Sequence, residues 1–207
     1  GDGTYNFKVN AYPSNKYDLR TSATMTFIVD SKEVVLPPTN LIAGSKIFNI
    51  TFVTAKVLSI TATTAGLSNG VSSNITVVPA APTKLQVLVP GETADGGSPT
   101  GKTGTLANEG SGSTFNITVN VVDNYWNLVN SANPTVSVVT SDPVDINPVD
   151  AALVSGTKLF AISLVTIGVS SITANDVGAL YTSNTRPLIN VITENTPPTV
   201  AITNPLN

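Results

Sequence analysis

Apolar residues recur at every second position over most of this chain. Tyr5, Phe7, Val9 and Ala11 alternate with Asn6, Lys8 and Asn10, and Phe115, Ile117, Val119 and Val121 alternate with Asn116, Thr118 and Asn120. Phe48, Ile50 and Phe52 follow the same rule, as do Phe160, Ile162 and Leu164. A period of two puts one face of an extended segment against a core and the other in water, which predicts half-buried strands. Helical spacing is not sustained over any stretch of about 12 residues. Clusters of Gly, Pro, Asn and Asp break the runs roughly every ten residues, the rhythm of a β-sandwich or barrel.

The pattern occurs twice. AGSKIFNITFVTAKVLSITAT (43–63) aligns with SGTKLFAISLVTIGVSSITAN (155–175) at an offset of 112 residues, placing Phe48 over Phe160 and Ile60 over Ile172. Upstream, FKVNAYPSNKYDL (7–19) matches ITVNVVDNYWNL (117–128) with one gap, so that Tyr17 stands where the second copy has Trp126. So long a period indicates tandem domains, not a solenoid of short repeats. The expected organisation is one domain over 1–80, a second over 81–193 with a long loop at 91–112, and a linker with a further strand over 194–207. The strand KLQVLVP (84–90) opens the second copy, whereas the first copy begins directly at GTYNFK. PTVAITNP (198–205) repeats that opening pattern, with Val200 and Ile202 as its apolar positions. It reads either as the first strand of a further domain or as a donor strand completing domain one of another subunit. Each copy carries about six or seven short strands, the number in an immunoglobulin-like sandwich.

At these positions the chain resembles a known family. The Asp-x-x-Trp-Asn turn at 123–127, the Gly-x-Lys-x-Phe strands at 44–48 and 156–160 and the Ser-Ile-Thr-Ala strands at 59–62 and 171–174 resemble bacterial Ig-like repeats of large surface proteins, of the invasin/intimin type. Trp126 departs from that pattern, where Gly is commoner. The resemblance covers most of residues 4–192 and implies an all-β fold of tandem immunoglobulin-like β-sandwiches. It also implies an extracellular or cell-surface location, in a stalk, filament or coat whose partners are copies of itself or neighbouring Ig-like domains. A binding module for glycan or a host protein is the alternative.

Composition narrows the chemistry. Charged residues make up 11% of the 207 and the net charge is −3, against about 25% charged in an average protein. No basic run offers the electrostatic footprint of a nucleic-acid binder. The chain has no Cys and no His, which removes Cys/His nucleophiles, Ser-His-Asp triads and the usual zinc ligands. No run approaches the ~20 apolar residues of a membrane-spanning helix, and GDGTYNF does not read as a signal peptide. The acidic residues scatter over turns instead of converging as a glycosidase pair, so no enzyme activity is expected.

Candidate sites remain. GGSPTGKT (96–103) fits the phosphate-loop pattern G-x-x-x-x-G-K-[ST], but a working loop needs a helix after it. GTLANEGSGST follows instead, so nucleotide binding is not expected and Lys102→Ala should leave the fold untouched. Asp123, Asn127, Asp142 and Asp145 are weak calcium candidates, with Asp150 beside the last two in DPVDINPVD (142–150) and Glu194 of the linker a further weak participant, because short acidic side chains shape turns as readily as they bind cations. No other cofactor is expected. Asn49, Asn74 and Asn116 each begin an Asn-Ile-Thr sequon and are glycosylation candidates. Trp126 with Tyr125 could offer a sugar platform, although closure of a turn explains them better. An isopeptide bond from Lys8 is not expected, since that residue alternates outward and its counterpart is Thr118.

Overall fold

The computed structural model describes residues 4–10, 26–29, 32–35, 45–63 and 68–193, the first three segments and Thr63 as backbone. Every regular element among them is a strand. The chain divides into two compact units that interleave along the sequence. The first comprises Gly1–Pro82, Asp95–Gly101 and Val122–Val129, the second Thr83–Ala94, Lys102–Val121 and Asn130–Asn207.

In the first unit, strands β1 (Thr4–Asn10), β2 (Thr26–Val29), β3 (Lys32–Val35) and β4 (Ser45–Thr51) precede four short ones: β5 (Val57–Leu58), β6 (Ile60–Thr63), β7 (Gly70–Val71) and β8 (Ile75–Thr76). β1 pairs antiparallel with β4, setting Phe7 opposite Phe48. β3, β2, β6 and β7 form a second sheet, and β5 pairs with β8. The core gathers Phe48, Ile50 and Phe52 from the β4 segment with Leu58, Ile60 and Val77, and Ala62 and Ile75 pack against it. The alternation of Phe48, Ile50 and Phe52 is therefore the inward phase, as their spacing predicts.

The second unit holds β9 (Lys84–Leu88), β10 (Glu92–Ala94), β11 (Lys102–Gly104), β12 (Glu109–Gly110) and β13 (Thr114–Val122). Beyond them come β14 (Thr135–Thr140), β15 (Ala151–Ala152), β16 (Thr157–Ser163), β17 (Gly168–Asp176) and β18 (Asn184–Ile192). Two sheets result, in the orders β16-β13-β9 and β12-β18-β17-β14-β15. Taken in chain order these are the A-B-E and C-F-G sets of an immunoglobulin-like sandwich, and β12 adds a parallel edge to β18. One apolar cluster joins them: Leu85 and Val87 from β9, Ile117 and Val119 from β13, Val136 and Val138 from β14, Phe160 and Ile162 from β16, Ile172 from β17 and Ile189 and Val191 from β18. The fold is all-β, of the sandwich kind.

The internal repeat extends to register. Ile117 faces Phe160 across β13 and β16, as its counterpart Phe7 faces Phe48. One edge differs. β13 carries β9 on the side away from β16, whereas among the described residues β1 pairs with β4 alone.

Two expectations need correction, and a third is not reached. The segment 91–112 is not a plain loop, because β10 and β11 form a hairpin within it and β12 joins the larger sheet. Asn120 does not face water but is buried. Its amide donates to Gln86 Oε1 at 3.0 Å and its carbonyl oxygen accepts from Thr157 Oγ1 at 2.6 Å, so a polar side chain sits in the core without an unmet bond. The strand read at 198–205, with Val200 and Ile202, lies outside the described residues, as do Tyr17 and Glu194.

Candidate functional site

Two short segments of the first unit, the hairpin tip 95–101 and the turn 122–129, contain the sequence's two most conspicuous motifs. The turn is organised by Asp123, which is buried. Its Oδ1 accepts the backbone N–H groups of Tyr125 and Asn127, each at 2.9 Å. Its Oδ2 accepts Ala80 N–H and the Asn127 side-chain amide, also at 2.9 Å. Four donors use up the carboxylate's capacity. Trp126 adopts φ 69°, the left-handed conformation that glycine enters without steric cost. A glycine at this position would enter the same conformation without that cost.

Asn127 divides its side-chain amide between Asp123 and the segment after β4. Its Nδ2 donates to Val53 O at 2.8 Å and its Oδ1 accepts Ala55 N–H at 2.8 Å. The turn therefore clamps residues 53–55 through both ends of one planar group. Asp123 and Asn127 do come together, but as a hydrogen-bonded knot and not as a cation shell. Asp142, in the second unit, is likewise consumed. Its Oδ2 accepts Val165 N–H at 2.6 Å and Thr166 N–H at 2.8 Å, and its Oδ1 accepts Thr166 Oγ1 at 2.7 Å and Val144 N–H at 3.1 Å. Asp145 Oδ2 has no hydrogen-bond partner. Among the described residues no group of three or more acidic side chains gathers as a cation would require.

The phosphate-loop match is accounted for residue by residue. A phosphate loop needs free backbone N–H groups converging on an anion. Here Gly97 N–H donates to Tyr125 O at 2.7 Å, Ser98 N–H to Asp95 O at 3.2 Å and Gly101 N–H to Ser98 Oγ at 3.0 Å. The segment leads into strand β11, not a helix. Gly101 has φ 76°, and a Cβ there would lie 2.4 Å from the Trp126 ring. Gly97 has φ 84°, and its Cβ would lie 2.0 Å from Thr54 Oγ1. Both glycines serve close packing. Gly101 thus packs directly against the Trp126 ring.

Lys102 is the clearest correction. Its Nζ lies 3.2 Å from Glu92 Oε2 and 3.4 Å from Val87 O, while Arg186 Nε lies 2.8 Å from Glu92 Oε1. Glu92 is only 4% exposed, so both cations compensate a buried carboxylate. Burial pulls the Lys102 pKa below its ordinary value, opposed by the charge of Glu92. Lys102→Ala is therefore expected to lose ~1–2 kcal/mol in urea unfolding, less than a fully buried pair because Lys102 keeps some solvent. An unchanged midpoint would show that Arg186 alone satisfies Glu92.

Asp142 yields a pH prediction. Hydrogen bonds from Thr166, Val144 and Val165 outweigh desolvation and lower its pKa from 3.8 to about 2. A depressed carboxylate contributes stability that is complete above its unfolded pKa, near 4, and disappears as pH falls through about 2. Because the group lies just under the surface, the contribution is ~1–2 kcal/mol. Asp142→Asn should lower stability at pH 6 and flatten the loss between pH 4 and pH 2. Equal slopes in both proteins would refute it. Glu109 shows the opposite tendency: its Oε1 is buried without a partner and burial raises its pKa.

The sequon asparagines Asn49, Asn74 and Asn116 are all exposed, while Ile50 and Ile117 beside two of them are buried. Lys8 lies in β1 opposite Ile47. Among the described residues no helix is long and apolar enough to cross a membrane.

No protein-family model matches the chain, and no curated protein matches it. Similar solved structures include β-glucuronidase 3 of Bacteroides uniformis, with TM-score 0.38 and 10% identity over 80% of this chain and 21% of that one. A β-glycosidase from Bacteroides vulgatus gives TM-score 0.40 and 9% identity over 91% and 25%. A putative membrane anchored protein from Corynebacterium diphtheriae gives TM-score 0.37 and 15% identity over 92% and 48%. The chain spans between about a fifth and a half of these proteins.

Proposed function

We propose that this chain is a structural, non-enzymatic segment of an extracellular protein built from Ig-like repeats of the invasin/intimin kind, serving as stalk, filament or surface layer. The observation that carries the reading is the internal repeat. A 112-residue sequence offset is matched by strand register, with Phe48 and Phe160 at equivalent core positions of β4 and β16. Asp123 and Asp142 serve as turn anchors, and Gly97 and Gly101 as close-packing sites.

Assembly by strand complementation is part of the proposal. An edge strand leaves backbone N–H and C=O groups open to another strand. β1 pairs only with β4 among the described residues, while its counterpart β13 also holds β9. The segment 198–205, with Val200 and Ile202, repeats the apolar alternation and closing proline of residues 84–90. Added from a second subunit it makes a heterologous contact, which builds an open filament. Deleting residues 196–207 should abolish association of the purified chain in sedimentation velocity while the dispersed NMR signals of the second unit persist. Association that survives the deletion would rule out complementation. For the binding-module alternative, a glycan-array screen is the direct test.

A further inference from the structure

The Asn-Ile-Thr sequons share a surface arrangement that appears only once the strands are paired. Register puts Asn116 opposite Ala161 across β13 and β16, and Asn6 opposite Asn49 across β1 and β4. By the internal repeat Asn6 corresponds to Asn116, and Asn49 to Ala161. The two cross-strand pairs are therefore equivalent places in the two units, and each holds one sequon. It comes from β13 in the second unit and from β4 in the first. The aligned residues, Asn6-Phe7-Lys8 and Ala161-Ile162-Ser163, are not sequons, so the repeat itself does not account for the coincidence.

Strand alternation fixes what these sequons show to solvent. Ile50 and Ile117 are buried while Asn49 and Asn116 are exposed, which sets each Asn on the outer face with the third-position Thr. The third acceptor, Asn74, is exposed just ahead of β8. Beside every sequon lies an exposed aliphatic side chain. Ile47, 60% exposed, precedes Asn49 by two residues on the same face of β4. Leu159, 62% exposed, pairs with Thr118 and so lies diagonal to Asn116, within reach of a long substituent. Val57, 59% exposed, pairs with Thr76 of the third sequon. A pyranose ring has a face of C–H bonds that leaves water when it lies on aliphatic carbon. Charge does little to solvate these faces, at 11% of the chain, whereas a glycan is bulky and solubilising. We infer that Asn49, Asn74 and Asn116 carry N-linked glycans, whose first sugars lie over Ile47, Val57 and Leu159.

The modification exchanges one bond for another. Asn Nδ2 bonds to C1 of an oligosaccharide carried on a lipid phosphate, the C1–O bond breaks, and the lipid phosphate leaves with the electron pair. One Nδ2 proton passes to a base of the transferring enzyme, which recognises the Asn-x-Thr segment. The inference rests on the extracellular reading above and not on strand complementation.

Peptide mass spectrometry of the protein from the cells that make it, combined with surface labelling of those cells intact, is the test. Peptides containing Asn49, Asn74 and Asn116 should each exceed their sequence mass by a sugar localised on the Asn. Thr51→Ala, Thr76→Ala and Thr118→Ala should each clear the sugar from one site only. Thr51→Ser, Thr76→Ser and Thr118→Ser should keep it. Thermal unfolding of the same variants made without the transferring enzyme reports folding separately. In the glycosylated protein, through-space NMR contacts should join the first sugar on Asn116 to the Leu159 methyls. Bare asparagines in a surface-labelled chain would overturn the inference and leave the extracellular reading standing. A bare chain that the label cannot reach would overturn both. Sugar on Asn74 alone would defeat the argument from paired positions, and sugar without contact to Leu159 would defeat the packing.

Discussion

Asp123→Ala should cost on the order of 3–5 kcal/mol in chemical unfolding, the largest single loss expected from any polar residue here. The carboxylate is buried and meets four donors: the N–H groups of Ala80, Tyr125 and Asn127 and the Asn127 amide. Removing it strands all four, and an unsatisfied buried donor costs about 1–3 kcal/mol. The sum is not reached in full, because the vacated space admits water. The consequence spreads, since Asn127 then loses the anchor that aims it at Val53 and Ala55. Trp126, the chain's only tryptophan, sits in the same turn, so its emission should shift red before the global transition. Asp123→Asn is the discriminating variant. It preserves shape but places an amide where one carboxylate oxygen met Ala80 N–H and Asn127 Nδ2, so it should recover less than half of the loss. Near-complete recovery would mean that shape, not acceptor count, sustains the knot.

The cores were legible in advance because burial in a sandwich follows strand alternation, a local property. Phe48, Ile50, Phe160, Ile162, Ile60 and Ile172 all point inward as their spacing requires. The polar roles were only partly legible. That Asp123 would bond the N–H groups two and four residues on is local turn chemistry, whereas its bond to Ala80, 43 positions away, exists only once the chain folds. The same holds for Lys102. Its motif suggested a phosphate ligand or nothing, and its partners Glu92 and Arg186 are brought together by the hairpin β10–β11 and by β18. Asn120 broke the alternation rule because Gln86 and Thr157 meet it inside the core, and periodicity carries no information about such pairs. The calcium candidates illustrate the general difficulty. Sequence shows where carboxylates are, but whether they are free depends on how many backbone N–H groups the fold turns toward them.

Phe160→Ala should destabilise the second unit by ~3–5 kcal/mol, through lost burial and the cavity left behind. Phe160 is 4% exposed in β16 and packs in the cluster that joins both sheets, so the space it vacates is enclosed by residues already fixed in two layers. Collapse is hindered because β16 is held to β13 along its whole length, from Thr114–Ser163 to Asn120–Thr157. Leu159, next in the chain and 62% exposed, is the control. Leu159→Ala removes a similar apolar volume from the opposite face and should change stability by less than ~0.5 kcal/mol. The ratio of the two losses reads the phase of the strand directly. Comparable losses would place both faces of β16 in contact with protein, and a loss under about 1 kcal/mol at Phe160 would invert the register. Phe48→Ala repeats the test in the first unit, where Phe48 is 8% exposed and packs with Ile50, Phe52, Leu58, Ile60 and Val77 among the described residues. A loss in the same range is expected, and one under about 1 kcal/mol would place Phe48 on the outer face of β4.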